Sequence, residues 1–302
     1  MQKKVRKAVI PAAGYGTRML PITKTVSKEM LPIVDKPIIQ QVVEELVEAG
    51  IEDIILVTAA HKADIHDYFG DVEAGLTSHL QAAGPSKAEL LKQLESIEDL
   101  AHFAFIEQSK QYGTGVPVLD AEPYIGDEPF IYTFADDFFV SSSPETNSFK
   151  QMIAAYEAYG APVWGGQRRT ADADYDRYGY VGGEELAPGE WSVKEIVERP
   201  GKANAPGDLA SLGGFVVTPE VFGYLHVAKD ELEASKELYF NSALALMIAN
   251  GEQVVAKEIT DAEYFDTGNK LEYMKTVTTL AARHPEIGHE YRAFLNQFMQ
   301  KG

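Results

Sequence analysis

The residue types best suited to chemistry come early in the chain. Gly14-Tyr15-Gly16-Thr17-Arg18 follows the apolar pair Val9-Ile10, and Lys28 stands ten residues after the arginine. Two glycines let a backbone come close to a ligand and turn its N–H groups inward, which suits phosphate oxygens. Arg18 and Lys28 add positive charge at fixed spacing. The whole chain has 46 acidic against 27 basic residues, a net charge of −19. Cations gathered beside a Gly-rich turn in such a chain imply an anionic ligand. The third glycine of a dinucleotide fingerprint and the Gly-Lys-Ser/Thr of a P-loop are both missing. An ordinary tight turn is the competing explanation; the preceding strand and the two cations favour the phosphate site.

Carboxylates supply the second kind of chemistry. The apolar run from Phe130 to Phe134 leads directly into Asp136-Asp137. Adjacent side chains on an extended segment point to opposite faces, so only one of the pair can address a given metal. Mg²⁺ favours one or two carboxylates together with phosphate and water oxygens. Asp266, in Tyr264-Phe265-Asp266-Thr267-Gly268-Asn269-Lys270, precedes a helix. It or Thr267 could simply cap that helix, or Asp266 could meet Asp136 in space as a second metal carboxylate. Sequence distance does not decide between these. In Val197-Glu198-Arg199-Pro200 the Glu could accept bonds from sugar hydroxyls while the Arg takes a phosphate; a surface ion pair is the plain alternative. Arg177-Tyr178-Gly179 carries little by itself. The seven His show no metal spacing, and no Gly-x-Ser-x-Gly is present. The absence of Cys excludes disulfides, iron–sulfur clusters, thiolate zinc sites and a Cys nucleophile.

These groups need a frame. Residues 8–11 read as a strand buried on both faces. Residues 37–49 read as a helix, with Ile38, Val42, Val43, Leu46 and Val47 at helical spacing, and residues 54–58 as a second buried strand. Strand, helix, strand with short connections is a βαβ unit and calls for a parallel sheet. A helix over 87–100, a strand over 103–106, a short helix over 116–122 and a strand over 130–134 repeat the pattern. Residues 1–140 therefore read as a doubly wound nucleotide-binding half. In residues 141–302, strands are expected at 163–167, 179–181, 193–197, 214–217 and 253–257. Helices are expected at 219–225, 231–249, 269–283 and 290–299. No repeat, low-complexity tract or linker interrupts the chain, so one composite domain is expected.

The acidic balance makes nucleic acid and anionic membranes poor partners, since phosphate backbones demand clustered Lys and Arg. No apolar run approaches the ~20 residues of a membrane span. The basic start is followed by too short an apolar stretch for a signal peptide, which makes the cytoplasm the expected location.

Taken in this order the motifs resemble the bacterial UTP–glucose-1-phosphate uridylyltransferases, of the sugar-nucleotidyltransferase superfamily. The resemblance runs through residues 11–18, Lys28-Glu29-Met30-Leu31-Pro32, Gln108 with Gly113-Thr114-Gly115, Asp136-Asp137, Arg177-Tyr178-Gly179, residues 197–200 and Asp266-Thr267-Gly268-Asn269-Lys270-Leu271. It implies an α/β fold: a Rossmann-like three-layer α/β/α arrangement with a mixed, mostly parallel sheet and a sugar-binding insertion. It also implies the conversion of UTP and glucose 1-phosphate to UDP-glucose and pyrophosphate, with Mg²⁺, in a homodimer or homotetramer. By that likeness Ala12, Ala13, Gly14, Gln108 and Gly113 hold the uridine. Gly16, Thr17, Glu29 and Asp137 complete the nucleotide site, and Arg18 and Lys28 are the catalytic cations on the triphosphate. Asp136 and Asp266 ligate Mg²⁺. Gly179, Glu198 and Gly214 read the glucose, and Arg199 stands where the family has a Lys on the sugar phosphate. Departures cluster in the sugar half. They are Arg199 itself, Trp164-Gly165-Gly166-Gln167, Gly213-Gly214-Phe215 for Gly-Arg-Tyr, and Glu237-Leu238-Tyr239-Phe240-Asn241-Ser242 for Glu-Ile-Gln-Leu-Thr-Asp. Three other readings compete: a sibling thymidylyltransferase, since uracil and thymine differ by one methyl, a uridylyltransferase for another sugar 1-phosphate, and a regulatory homologue that binds sugar nucleotides without turnover. Retention of both metal carboxylates argues against the regulatory homologue.

Overall fold

Ala8, Val9 and Ile10 have no exposed surface, a burial on both faces that an interior strand provides. They lie in β1 (Lys7–Pro11) of the computed structural model, which describes residues 2–109, 112–232 and 236–301. The short strands β2 (Pro32–Ile33) and β3 (Lys36–Pro37) follow, then α1 (Ile38–Glu48) and β4 (Asp53–Thr58). A helical excursion of α2 (Ala63–Phe69), α3 (Ala74–Ala82) and α4 (Pro85–Glu98) returns to β5 (His102–Glu107), α5 (Val116–Ile125) and β6 (Phe130–Tyr132). β7 (Asp137–Ser141), α6 (Ser148–Tyr159) and β8 (Val163–Arg168) lead to the long strands β9 (Gly179–Ala187), β10 (Glu190–Glu198) and β11 (Leu209–Val217). The chain ends with α7 (Val221–Asp230), α8 (Phe240–Ala249), β12 (Val255–Glu258), β13 (Ala262–Asp266), α9 (Lys270–Arg283) and α10 (Gly288–Lys301).

Among the described residues, nine strands form one sheet in the order β5-β4-β1-β6-β11-β8-β12-β10-β9. β11 and β10 run against the other seven, so the sheet is mixed with most strands pointing one way. It spans both halves of the chain. Alternation along β1 sends Ile10 into a cluster with α1 and α6, through Val42, Leu46, Phe149 and Met152. It sends Val9 into a second cluster with α5, α7 and α8, through Val118, Leu225 and Leu244. The result is three layers, α/β/α. The chain leaves β1 toward β4 and β5, then comes back to β6 on the other side. The crevice beyond the carboxyl ends of β1 and β6 is thus a topological switch point, where open α/β sheets bind ligands.

Two local expectations are corrected. The strand ending at Phe134 stops at Tyr132. The helix expected over 231–249 is α8 alone; Leu238 is extended because its N–H donates to Tyr112 O and its C=O accepts from the Gly115 N–H. Residues 233–235 of that expectation lie outside the described residues. The departures at 164–167 and 213–215 find a packing reason. Trp164 is fully buried edge-on to Phe215. A Cβ on Gly165 would stand 2.4 Å from Met152 Sδ, and one on Gly213 2.4 Å from the Phe139 ring.

One acidic residue lies inside the apolar stripe of α1. Glu45 accepts from Ser148 Oγ at 2.5 Å and from the Phe139 N–H at 3.1 Å, tying α1 to β7 and to the start of α6. Burial pushes its pKa up to about 8 against these hydrogen bonds. The folded protein therefore keeps a proton that the unfolded chain gives up above its ordinary carboxyl pKa. Stability is lost as pH rises from about 5 to about 8, by about 1.4 kcal/mol per unit from this group. Glu45→Gln keeps an acceptor for Phe139 and removes the titration. The stability gap between Glu45→Gln and the parent, followed by urea unfolding, is expected to widen in favour of the variant across that pH range.

Candidate active site

Two segments distant in sequence meet in the antiparallel ladder of β7 and β13, where Asp137 pairs with Asp266. Phe138 stacks on Phe265 with ring centroids 5.6 Å apart. The Thr267 N–H and hydroxyl both donate to Asp136 O, at 2.9 and 2.6 Å. This brings the side chains of Asp136 and Asp266 together. Asp266 Oδ1 lies 3.0 Å, Asp136 Oδ2 3.6 Å and Arg18 Nη1 3.9 Å from the point a Cβ on Gly268 would occupy. Among the described residues no three His, Asp or Glu side chains form a metal-binding group.

Converging carboxylates repel and need compensation. Lys28 Nζ is 2.7 Å from Asp136 Oδ2, and Arg177 Nη2 is 2.6 Å from Asp266 Oδ2. The Gly268 N–H takes the other oxygen of Asp266 at 2.7 Å. Burial opposes the charge on Lys28, but Asp136 and then Glu29 outweigh it, and its pKa lies above the usual lysine value. Lys28 is aimed by its neighbours. The Ser27 N–H and hydroxyl donate to Asp64 at 2.8 and 2.5 Å, and Glu29 Oε2 meets Lys62 Nζ at 2.6 Å. Both members of the latter pair are buried, and Glu29 Oε1 has no partner among the described residues. Burial raises the Glu29 pKa, with Lys28 and Lys62 holding it down.

Asp137 opens β7 directly opposite Asp266, while Asp136 lies just before the strand. Asp137 accepts from Tyr264 Oη at 2.7 Å, and its Oδ1 is buried without a partner among the described residues. Burial, then Asp136, push it up to about 7.

The turn after β1 lies beside this cluster. Gly16 has φ +62°, and a Cβ there would crowd Lys28 Cβ and Thr23 at 3.1 Å. Thr23 Oγ1 donates to Gly16 O at 2.8 Å. A Cβ on Gly14 would meet nothing within 4 Å, so that face is open. The Ala12 N–H donates to Val57 O; from Ala13 to Arg18 no backbone N–H has an acceptor among the described residues. Tyr15 stacks on His61 with centroids 4.6 Å apart. The Gln108 N–H donates to Thr58 O at the end of β4, and Gly113 abuts Leu238.

On the far side, Glu198 pairs with Gly179 across β10 and β9, and its Oε1 is 2.9 Å from where a Cβ on Gly179 would be. Arg199 is exposed with φ +46°, and its N–H donates to Tyr178 O at 3.1 Å. Gly214, at φ +103°, sits in the irregular middle of β11 against Tyr132 O and Thr133. The segment from Arg177 to Gly179 connects the two groups, since Arg177 reaches Asp266 while Gly179 lies under Glu198.

Sequence reasoning gave Arg177 no contact and overlooked Tyr264, Lys62 and Glu45. Tyr264 was findable, because it stands two residues before Asp266 and so on the same face of β13. The partners of Lys62 and Arg177 carry no local signal.

A doubly wound sheet whose switch-point crevice gathers a Gly turn, cations and paired carboxylates is the architecture of an enzyme that handles nucleotides. The chain belongs to the nucleotidyl transferase family, whose model matches residues 7–283. It is 39% identical over 295 residues to a UTP–glucose-1-phosphate uridylyltransferase of Staphylococcus epidermidis, covering 98% of this chain and 99% of that one. The UTP-bound UGPase of Acinetobacter baumannii aligns with TM-score 0.87 at 32% identity, over 96% of this chain and 98% of that one. A UDP-glucose pyrophosphorylase complexed with UDP-glucose aligns with TM-score 0.80 at 33% identity, over 93% of this chain and 100% of that one.

Lys62→Ala would leave Glu29 buried beside Lys28 without its closest partner. Loss of one member of a buried pair costs about 3–5 kcal/mol, and urea unfolding at pH 7 is expected to show a drop of that size.

Proposed function

We infer that this chain makes UDP-glucose and pyrophosphate from UTP and glucose 1-phosphate. The observation that carries the reading is the convergence of Arg18, Asp136 and Asp266 around Gly268, with Lys28 on Asp136, at the switch point of the sheet. The relatives named above, similar over nearly the whole chain, supply the substrates.

The residues divide the work as follows. Ala12, Ala13 and Gly14, with Gln108 and Gly113, form the uridine side. The N–H groups from Gly14 to Thr17 and the cations Arg18 and Lys28 take the triphosphate, supported by Glu29. Gly179, Glu198 and Gly214 bind the glucose, and Arg199 its phosphate. An oxygen of the sugar phosphate attacks the α-phosphorus in line; that P–O bond forms as the bond to the bridging oxygen of pyrophosphate breaks. Two anions must approach, so positioning and fixed positive charge do most of the catalytic work. Asp136 and Asp266 are hard oxygen donors brought side by side, a set that suits Mg²⁺ with phosphate oxygens completing the shell. Bound there, Mg²⁺ would neutralise charge on the phosphates. Lys28 and Arg177, which hold these carboxylates here, would then be free to turn toward anionic substrate. Asp137 serves through its bond to Tyr264, which anchors the ladder that brings both carboxylates together.

The protein works in the cytoplasm as a homodimer or homotetramer. The exposed apolar residues Phe294, Phe298 and Met299 on α10 support association, since such stripes favour partners. Among the described residues no helix is long and apolar enough to cross a membrane.

The test is pyrophosphate release with Mg²⁺, crossing UTP and dTTP with glucose, galactose and N-acetylglucosamine 1-phosphates. UTP with glucose 1-phosphate is expected to turn over fastest. Better turnover with dTTP, or none with any pair, would overturn the reading. Lys28→Ala is expected to lose about 10²–10³-fold in turnover with an unchanged circular dichroism spectrum. Asp266→Asn is expected to need about tenfold more Mg²⁺ for half-maximal rate; an unchanged Mg²⁺ requirement would remove Asp266 from the metal site.

A further inference from the structure

The uridine-side loop and the sugar-side carboxylate are joined by one short segment. Gly113 has φ +121°, and a Cβ there would fall 2.1 Å from Leu238 O, so the two backbones touch. The Leu238 N–H donates to Tyr112 O at 2.9 Å, and Leu238 O accepts from the Gly115 N–H at 2.8 Å. The Phe240 N–H donates to Thr114 Oγ1 at 3.0 Å. Leu238 and Phe240 are buried, which pins this segment against the loop. The next residue, Asn241, lies in the first turn of α8, and its Nδ2 donates to Glu198 Oε1.

That bond settles which way the amide faces. Only the amide nitrogen can donate to a carboxylate, so Oδ1 is turned away from Glu198. This oxygen is buried and has no hydrogen-bond partner among the described residues. Buried side-chain oxygens are nearly always paired, and an unpaired one calls for an explanation. It lies on the residue that grips Glu198, in the stretch where this chain departs from the family pattern.

We propose that Asn241 is a specificity-determining residue of the sugar site: Nδ2 holds Glu198 in place and Oδ1 accepts a hydrogen bond from a sugar hydroxyl. The inference rests on the sugar-binding role given to Glu198 above. A clamped carboxylate and a neighbouring amide oxygen present two acceptors at a fixed separation. Two hydroxyls of the right relative configuration satisfy both, whereas an epimer leaves one acceptor unpaired, and sites of this kind discriminate strongly.

The experiment measures pyrophosphate release against glucose 1-phosphate and galactose 1-phosphate at saturating UTP, and against UTP, in Asn241→Ala, Asn241→Thr and Glu198→Gln. Asn241→Ala is expected to raise the KM for glucose 1-phosphate about tenfold or more and to lower the glucose-to-galactose ratio of kcat/KM by a similar factor. Its KM for UTP is expected to stay within about twofold. Asn241→Thr keeps a donor to Glu198 without the carbonyl oxygen, so its sugar KM should fall between those of Asn241→Ala and the parent. An unchanged sugar KM and ratio in Asn241→Ala overturns the proposal. An equal rise in the KM for UTP and for sugar, with a lowered melting temperature, overturns it too, because that is what a structural defect would give. Glu198→Gln separates the two levels of argument. If it raises the sugar KM while Asn241→Ala does not, only the role of Asn241 falls. If neither variant moves it, the sugar role of Glu198 falls as well.

Discussion

The site depends on forcing two carboxylates together. Asp136 and Asp266 would separate if left to themselves, since like charges at this range raise each other's energy. The β7–β13 ladder holds them by backbone pairing, the stacked Phe138 and Phe265 stiffen it, and Thr267 locks it through two bonds to one carbonyl. Much of the surrounding structure compensates that juxtaposition. Lys28 neutralises Asp136 and Arg177 neutralises Asp266, and Glu29 with Lys62 and Ser27 with Asp64 fix the residues on either side of Lys28. Glu45 fastens the ladder to α1 from beneath. A cluster of this kind is poised to exchange its internal cations for external ones, which is what binding a metal and a polyphosphate requires.

The frame of the nucleotide half was legible because its elements are buried and periodic. Ile38, Val42, Val43 and Leu46 could only form one face of a helix, and residues 8–11 and 54–58 could only be interior strands. The excursion through α2 and α3 was not legible, because α2 is only seven residues long, too short for Ile65 and Phe69 to establish a helical period, and α3 is mostly exposed. The start of α8 was misjudged for a different reason. Leu238 belongs by hydropathy to the following helix, yet its backbone is claimed by Tyr112 and Gly115, more than a hundred residues earlier. Local propensity cannot report such a claim.

The site shows the same division. Gly16, Arg18, Lys28 and Asp136 were visible as a pattern of residue types. That Asp266 stands beside Asp136, that Arg177 grips it, and that Asn241 touches Glu198 are facts of register and topology. The unusual glycines of the sugar half have steric causes in the core. Gly165 yields to Met152 and Gly213 to the Phe139 ring, so these positions mark how tightly the sheet is packed rather than what the enzyme binds.

The gathering of Arg18 and Lys28 beside the open turn of a strongly acidic chain has a kinetic consequence. A nucleoside triphosphate approaching from bulk solution first meets the field of a body with net charge −19, and only within about 8 Å, the screening length at physiological salt, does it meet Arg18 and the open turn. Long-range repulsion slows arrival, while short-range attraction holds what has arrived. Added salt weakens both, but at different stages: it speeds the encounter and loosens the grip. Association and dissociation rates should therefore rise together with ionic strength, opposite to the usual behaviour of an anion and a cationic protein, whose association slows as salt is added.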